Sequence, residues 1–250
     1  MLAREDRGAI AVLRMAHGKA SALDLEFSRA LSAAFAEIER SDARALVLTG
    51  TAGIFSAGVD LLRLTREGPP YVRAFLPEMN AMFTALFALP LPVVAAVNGH
   101  AIAGGAILTW ACDRAVMARG SARIGAPELV VGVPFPAAPL EIARAGLAKR
   151  AGLQAILEGT TLEPEAALAR GYVDELAEPG VLLDRACAIA ERLARAPRMA
   201  YALTKAALRS PSLDWIRTHG PAHDRAVTDA WCSDEILGAV RAYAAKTLSQ

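Results

Sequence analysis

The residues best placed to do chemistry here are backbone groups. Gly104 and Gly105 stand where an apolar run, Val93–Val97, has turned through Asn98-Gly99-His100 and is about to enter a second apolar run that ends near Asp113. The pattern predicts a strand, a turn and a helix, in that order. Without a Cβ, two glycines at a helix mouth let another group approach the main chain closely. The first N–H groups of a helix have no partner inside it and lie at the positive end of its dipole. Such a joint can hold a negatively charged oxygen. It can equally be a tight crossing in which glycine only relieves crowding, and this stretch by itself does not choose.

A second stretch has the same design. The apolar strand Leu46–Leu48 runs into Phe55-Ser56-Ala57-Gly58-Val59-Asp60-Leu61. That motif, followed by Gly99-His100-Ala101-Ile102-Ala103-Gly104-Gly105, resembles the crotonase superfamily of enoyl-CoA hydratases and isomerases. The resemblance extends from about Gly8 to the last helix. It implies an α/β fold, a crotonase (ClpP-like) spiral of ββα units with a C-terminal helical region. The spiral core would span residues 1–180. Residues 181–250 would form helices that pack against neighbouring subunits and cover the active site, in a homotrimer or a dimer of trimers.

The resemblance also implies an acyl-CoA thioester as substrate, with CoA as part of that substrate and no metal or separate cofactor. Reaction at C2 passes through a thioester enolate, whose oxygen needs two preorganised donors in a dry site. The motifs assign these to the N–H groups of Val59 and Gly104, an oxyanion hole. Ala20, Ala22 and Ala57 would cradle the CoA adenine and pantetheine, with Asp60, Gly105 and Ile107 also at the substrate. Family hydratases carry two glutamates. One matches Glu128 in the Pro127-Glu128 segment, and the other falls on Ile107, which cannot orient a water. Two further departures are Ser21 where an Asn is usual and Ala138-Pro139 near a usual Gly-Gly pair.

One carboxylate suffices for a different reaction. A base that removes a proton from C2 of a 3-enoyl thioester and returns it to C4 moves the double bond to position 2, as the family's isomerases do. An apolar Ile107 would exclude water and raise the pKa of Glu128. The expected activity is therefore that of an enoyl-CoA isomerase of fatty acid metabolism. The alternatives are a hydratase (a lyase) using Glu128 with Glu141, a thioester hydrolase, or a non-catalytic acyl-CoA binder. Glu141 is read either as a pocket acid or as an acid favoured by the helix dipole.

The elements that must position these residues follow from patterning. Gly8–Met15 reads as a strand, and Leu25–Arg40 as a helix capped by Ser21 or Asp24. Gly68-Pro69-Pro70 breaks the chain before a helix over Tyr71–Leu89. Its row of Phe75, Met79, Met82, Phe83 and Phe87 reads as core, and through the resemblance also as acyl-pocket lining. Pro90 and Pro92 stop it. A strand over Arg114–Ala118 comes next, the resemblance implies another entering at Ala122–Ile124, and helices over Pro139–Ala148 and Ala151–Glu158 follow. The tail reads as helices over 181–196, 198–210, 213–231 and 233–248. Asp60 is expected to cap or order its turn, His100 to be structural, and Cys112 to be buried.

Composition excludes other classes. Net charge is +1 with both signs interspersed, which argues against nucleic-acid binding. Three scattered cysteines suggest neither a disulfide framework nor a metal site, and His17, His219 and His223 form no visible ligand set. The charged N-terminus lacks a signal peptide's apolar run, and the apolar stretches are too broken to span a membrane. A soluble, cytoplasmic protein with no membrane partner is the expectation.

Overall fold

The computed structural model describes residues 1–51 and 53–247. Strands β1 (Leu2–Arg7) and β2 (Ile10–Met15) form an antiparallel hairpin. Helix α1 (Leu25–Arg40) begins at Asp24, whose Oδ1 accepts the Phe27 N–H at 2.7 Å. Three repeats follow. The first is β3 (Ala45–Thr49), β4 (Ile54–Ser56) and α2 (Leu61–Ala88). The second is β5 (Val93–Val97), β6 (His100–Ile102) and α3 (Gly104–Ala111). The third is β7 (Arg114–Ala118), β8 (Ile124–Gly125), the four-residue α4 (Glu128–Val131) and α5 (Ala137–Gly146). Helix α6 (Lys149–Leu157), β9 (Thr161–Leu162), α7 (Pro164–Ala169) and β10 (Glu175–Ala177) close the core. Helices α8 (Leu182–Ala194), α9 (Arg198–Thr218), α10 (Gly220–Trp231) and α11 (Asp234–Thr247) complete the described chain.

Each repeat sends its first strand to one sheet and its second to another. The large sheet runs β1-β2-β3-β5-β7-β10 and is parallel from β2 onward, while the small sheet runs β4-β6-β8-β9. This is the ββα spiral that the sequence implied. Strands β3 and β5 are buried along their whole length, as parallel strands covered on both faces must be. Alternate residues serve two cores. Leu46 and Leu48 face the interior shared with α1, α2 and α3, and Ala45 and Val47 face Leu182, Ala186 and Ile189 of α8. The expected boundary at residues 180 and 181 thus falls just before a helix that covers the outer face of the large sheet.

Several elements differ from the sequence reading. Two strands, β1 ahead of the expected first strand and β10 before the tail, stand where the sequence reading placed none. Helix α2 begins at Leu61, kinks at Gly68 (φ +67°) and resumes with Pro69 and Pro70 in its next turn. Pro211 does not stop α9, which runs on to Thr218. The N–H missing at Pro211 leaves the Ala207 carbonyl free, and Ser210 Oγ donates to it at 3.0 Å. The last expected helix, 233–248, reaches Leu248, outside the described residues. Among the described residues no helix is long and apolar enough to cross a membrane.

A buried charge cluster ties α9 to the core. Asp113 accepts from the Val93 N–H at 2.8 Å, from Lys205 Nζ at 2.7 Å and from Arg209 Nη2 at 2.6 Å. Lys205 also donates to Leu91 O at 2.8 Å. Asp113→Ala leaves a buried lysine and a half-buried arginine without their carboxylate and should cost about 3–5 kcal/mol of stability. Urea unfolding would read this as a lower midpoint with an unchanged slope.

Candidate active site

The two glycine-bearing turns meet. Gly58 holds φ +80°, and a Cβ there would lie 2.6 Å from Ala103 Cβ and 3.0 Å from the Gly104 nitrogen. Leu23 bridges to Val59: Leu23 N–H donates to Gly58 O at 2.7 Å and Asp60 N–H to Leu23 O at 3.0 Å. That pattern turns the Val59 N–H away from Leu23. The Gly104 N–H opens α3 and has no intrahelical acceptor. Neither N–H donates to an acceptor among the described residues. Ala103, which aims Gly104, sits at φ +52°, a strained conformation for a residue with a Cβ, and is held by its N–H bond to Gly125 O at 2.8 Å.

A cavity of about 720 Å³ opens beside these donors. Of the expected residues, Ala20, Ala22, Ala57, Val59, Asp60 and Glu128 line it. Glu128 starts α4. The residue is half-buried, but its Oε2 is buried with no hydrogen-bond partner. Burial pushes its pKa up to about 8, opposed only by its own backbone N–H. Asp60 is committed elsewhere, because its Oδ1 caps α2 by accepting the Arg63 N–H at 2.9 Å.

Four expected residues stand apart from that lining. Gly104 contributes its backbone. Gly105 serves the crossing, since a Cβ would lie 2.3 Å from Ser56 O. The resemblance puts Ile107 against the substrate, but it is fully buried in the core. Glu141, the candidate second carboxylate, is 2% exposed on α5, outside the cavity, with Oε1 2.9 Å from Arg144 Nη1. Likewise Phe75, Met79, Met82, Phe83 and Phe87 of α2 are core residues, and α2 reaches the cavity only through Leu61 and Leu62. His100 is structural as expected, its Nδ1 accepting the Arg123 N–H at 3.2 Å. Cys112 is buried.

Further residues line the cavity beside the expected ones. His17 borders the cavity, stacks on Phe27 at 4.7 Å and donates from Nε2 to Asp24 Oδ2 at 2.8 Å. Lys19 is beside it. Trp231, Tyr243 and Thr247 form a wall contributed by α10 and α11. Arg63 fastens the start of α2 to α1 by donating to Glu26 and Glu67 while lying 4.7 Å over the Tyr71 ring. The Arg63 hydrogen bond pulls the Glu26 carboxyl down to about 2. The arrangement offers two N–H groups without acceptors among the described residues, on turns that touch, and one unpaired carboxylate at a cavity with mostly apolar walls.

A family model described as enoyl-CoA hydratase/isomerase matches residues 5–247. A short-chain-enoyl-CoA hydratase of Clostridium acetobutylicum is 31% identical over 211 residues, 82% of this chain and 79% of that protein. The crystal structure of human mitochondrial delta3-delta2-enoyl-CoA isomerase is similar at a TM-score of 0.93 and 26% identity, covering 99% of this chain and 98% of that one. The apo structure of an enoyl-CoA isomerase of Mycobacterium tuberculosis is 35% identical at a TM-score of 0.79, covering 93% of this chain and 98% of that one.

The raised pKa of Glu128 has a consequence for stability. The folded chain keeps that proton up to about pH 8, whereas the unfolded chain releases it near 4.5. Between those values the folded state binds more protons, so stability falls as pH rises through the window. Glu128→Gln removes this penalty and should stabilise the protein by at most about 3 kcal/mol at pH 7. Thermal melts should show the variant's advantage to be small at pH 5 and full at pH 8.

Proposed function

The chain belongs to the enoyl-CoA hydratase/isomerase family, and from that premise we propose that it is an enoyl-CoA isomerase with one working carboxylate. Glu128 takes a proton from C2 of a 3-enoyl-CoA. The C2 electron pair moves into the thioester, and its oxygen becomes an enolate held by the Val59 and Gly104 N–H groups. The C3=C4 pair then takes the proton back from Glu128 at C4 while a C2=C3 bond forms. No atom is gained or lost. The observation that carries this reading is the single unpaired carboxylate in the cavity, with Ile107 and Glu141 both outside it.

The second reading, hydration of a 2-enoyl-CoA, is favoured by the likeness to the Clostridium acetobutylicum hydratase. It needs a second group to orient water, and Glu141 is turned to Arg144. We further propose a homotrimer or dimer of trimers, with the exposed Met199, Leu203 and Leu208 of α9 at a subunit contact. Sedimentation equilibrium tests this, and a monomer at micromolar concentration would rule it out.

The decisive experiment incubates wild type and Glu128→Gln with 3-enoyl-CoA and 2-enoyl-CoA in deuterated water and follows products by mass spectrometry. Conversion of the 3-enoyl to the 2-enoyl isomer, lost by at least about a thousand-fold in the variant, is expected. Water addition to the 2-enoyl substrate would overturn the reading. Because only the ionised form of Glu128 accepts a proton, kcat/KM should rise with pH to a plateau, with its midpoint near 8.

A further inference from the structure

Three side chains of α10 reach one stretch of main chain, Pro134–Ala137, which leads from the Glu128 helix into α5. Trp231 Nε1–H donates to Pro134 O at 2.9 Å. His223 Nε2 lies 2.9 Å from Phe135 O and so carries its proton there. The Ala137 N–H donates to Asp224 Oδ1 at 2.8 Å. Helix α5 has Pro136 at its N-cap and no capping side chain of its own there. Asp224 therefore caps it from another helix, with its negative charge at the favourable end of the dipole. The His223 ring is set against Trp215, with centroids 5.8 Å apart.

This clamp acts on the segment that most needs one. A helix of four residues is far below the length that is stable by itself, so the geometry of α4 is imposed by what fixes its ends. At its C-terminal end the Gly132 and Val133 N–H groups both donate to Glu128 O at 2.9 Å. The main chain enters the clamped stretch at the next residue. Val131, Val133 and Trp231 border the cavity, whereas His223 and Asp224 do not.

We propose that α10 is a positioning element for the reaction: His223, Asp224 and Trp231 hold Pro134–Ala137 so that Glu128 stays fixed toward the Val59 and Gly104 N–H groups. The proposal rests on the isomerase reading above. His223 and Asp224 act only through Glu128 and are positioning residues.

The test uses Asp224→Ala, Asp224→Asn and Trp231→Phe in the full-length protein, with two readouts. One is hydrogen exchange of the segment 128–137 by mass spectrometry, and the other is kcat and KM on a 3-enoyl-CoA. Asp224→Ala should speed exchange in 128–137 and lower kcat by about ten-fold or more, with KM within about two-fold, since a small displacement of a reacting group acts on the chemical step. Asp224→Asn keeps an oxygen for the Ala137 N–H and should recover at least half of both losses. Trp231→Phe keeps a ring at the cavity wall and drops the indole N–H, so it tests the clamp should Asp224→Ala fail to fold. Unchanged exchange in 128–137, or faster exchange with unchanged kcat, would overturn the proposal. A wild type that isomerises no enoyl-CoA would instead sink the functional reading, and the exchange readout would then decide the clamp alone.

Discussion

Gly58 takes a left-handed backbone within contact distance of Ala103 and of the Gly104 nitrogen. The site depends on that closeness. Two donors from different repeats can converge on one oxygen only if their turns touch, and a side chain at Gly58 would hold them apart. The spiral makes the contact possible, because successive repeats place equivalent turns side by side at the edge of the small sheet. The flanking strands hold it rigid, since β3 and β5 pair in parallel and are buried on both faces. Strain at Ala103 is tolerated because its neighbours leave it no alternative, with its N–H bonded to Gly125 and its carbonyl taking the Ala106 and Ile107 N–H groups.

The second constraint is dryness, and it opposes the first in energetic terms. A carboxyl kept without a partner near apolar walls costs stability whenever it is ionised. The chain sets against this a core on each face of the large sheet and a buried charge cluster at Asp113 that is fully hydrogen-bonded. The C-terminal helices are thus bound twice. Helix α9 is tied down by Lys205 and Arg209, while α10 and α11 wall the cavity beside Glu128.

How much of this was legible in the sequence follows from the physics of each part. The glycine motifs were readable through their resemblance to a family, and crowding gives the physical reason at Gly58 and Gly105, where a Cβ would lie 2.8 Å from Ile102 O and 2.3 Å from Ser56 O. Strands β3 and β5 were readable as continuous apolar runs. Strand β1, Leu-Ala-Arg-Glu-Asp-Arg, was not, because an edge strand exposed to water needs no apolar pattern. Strands of two or three residues such as β9 and β10 are too short to show a period. The resemblance implied a helical cover, but that Trp231, Tyr243 and Thr247 form its wall was not legible, because the wall is made by contacts distant in sequence, such as Trp231 to Pro134, 97 residues apart. Proline misled at residue 211, where a neighbouring serine supplies the missing bond. Ser21 shows the reverse case: it holds φ +44°, a conformation that asparagine tolerates better, which gives a physical reason for the asparagine usual at that place.

Backbone and side chains carry different kinds of information about the reaction. Main-chain N–H groups persist through almost any change of side chain at Val59, so the fold can be kept without fixing what is done there. Proteins named as hydratases and as isomerases both resemble this chain over most of its length, as expected if overall shape does not decide between them. The number of free acids facing the cavity can decide. Of the two that line it, Asp60 spends an oxygen on the first turn of α2, and Glu128 alone is buried and unpaired. Adding water to a double bond requires that the water be held as well as deprotonated, which one carboxylate against apolar walls does poorly. Moving a proton between two carbons of the same substrate requires one group that can accept and return it, and an acid whose pKa lies near 8 is suited to both steps.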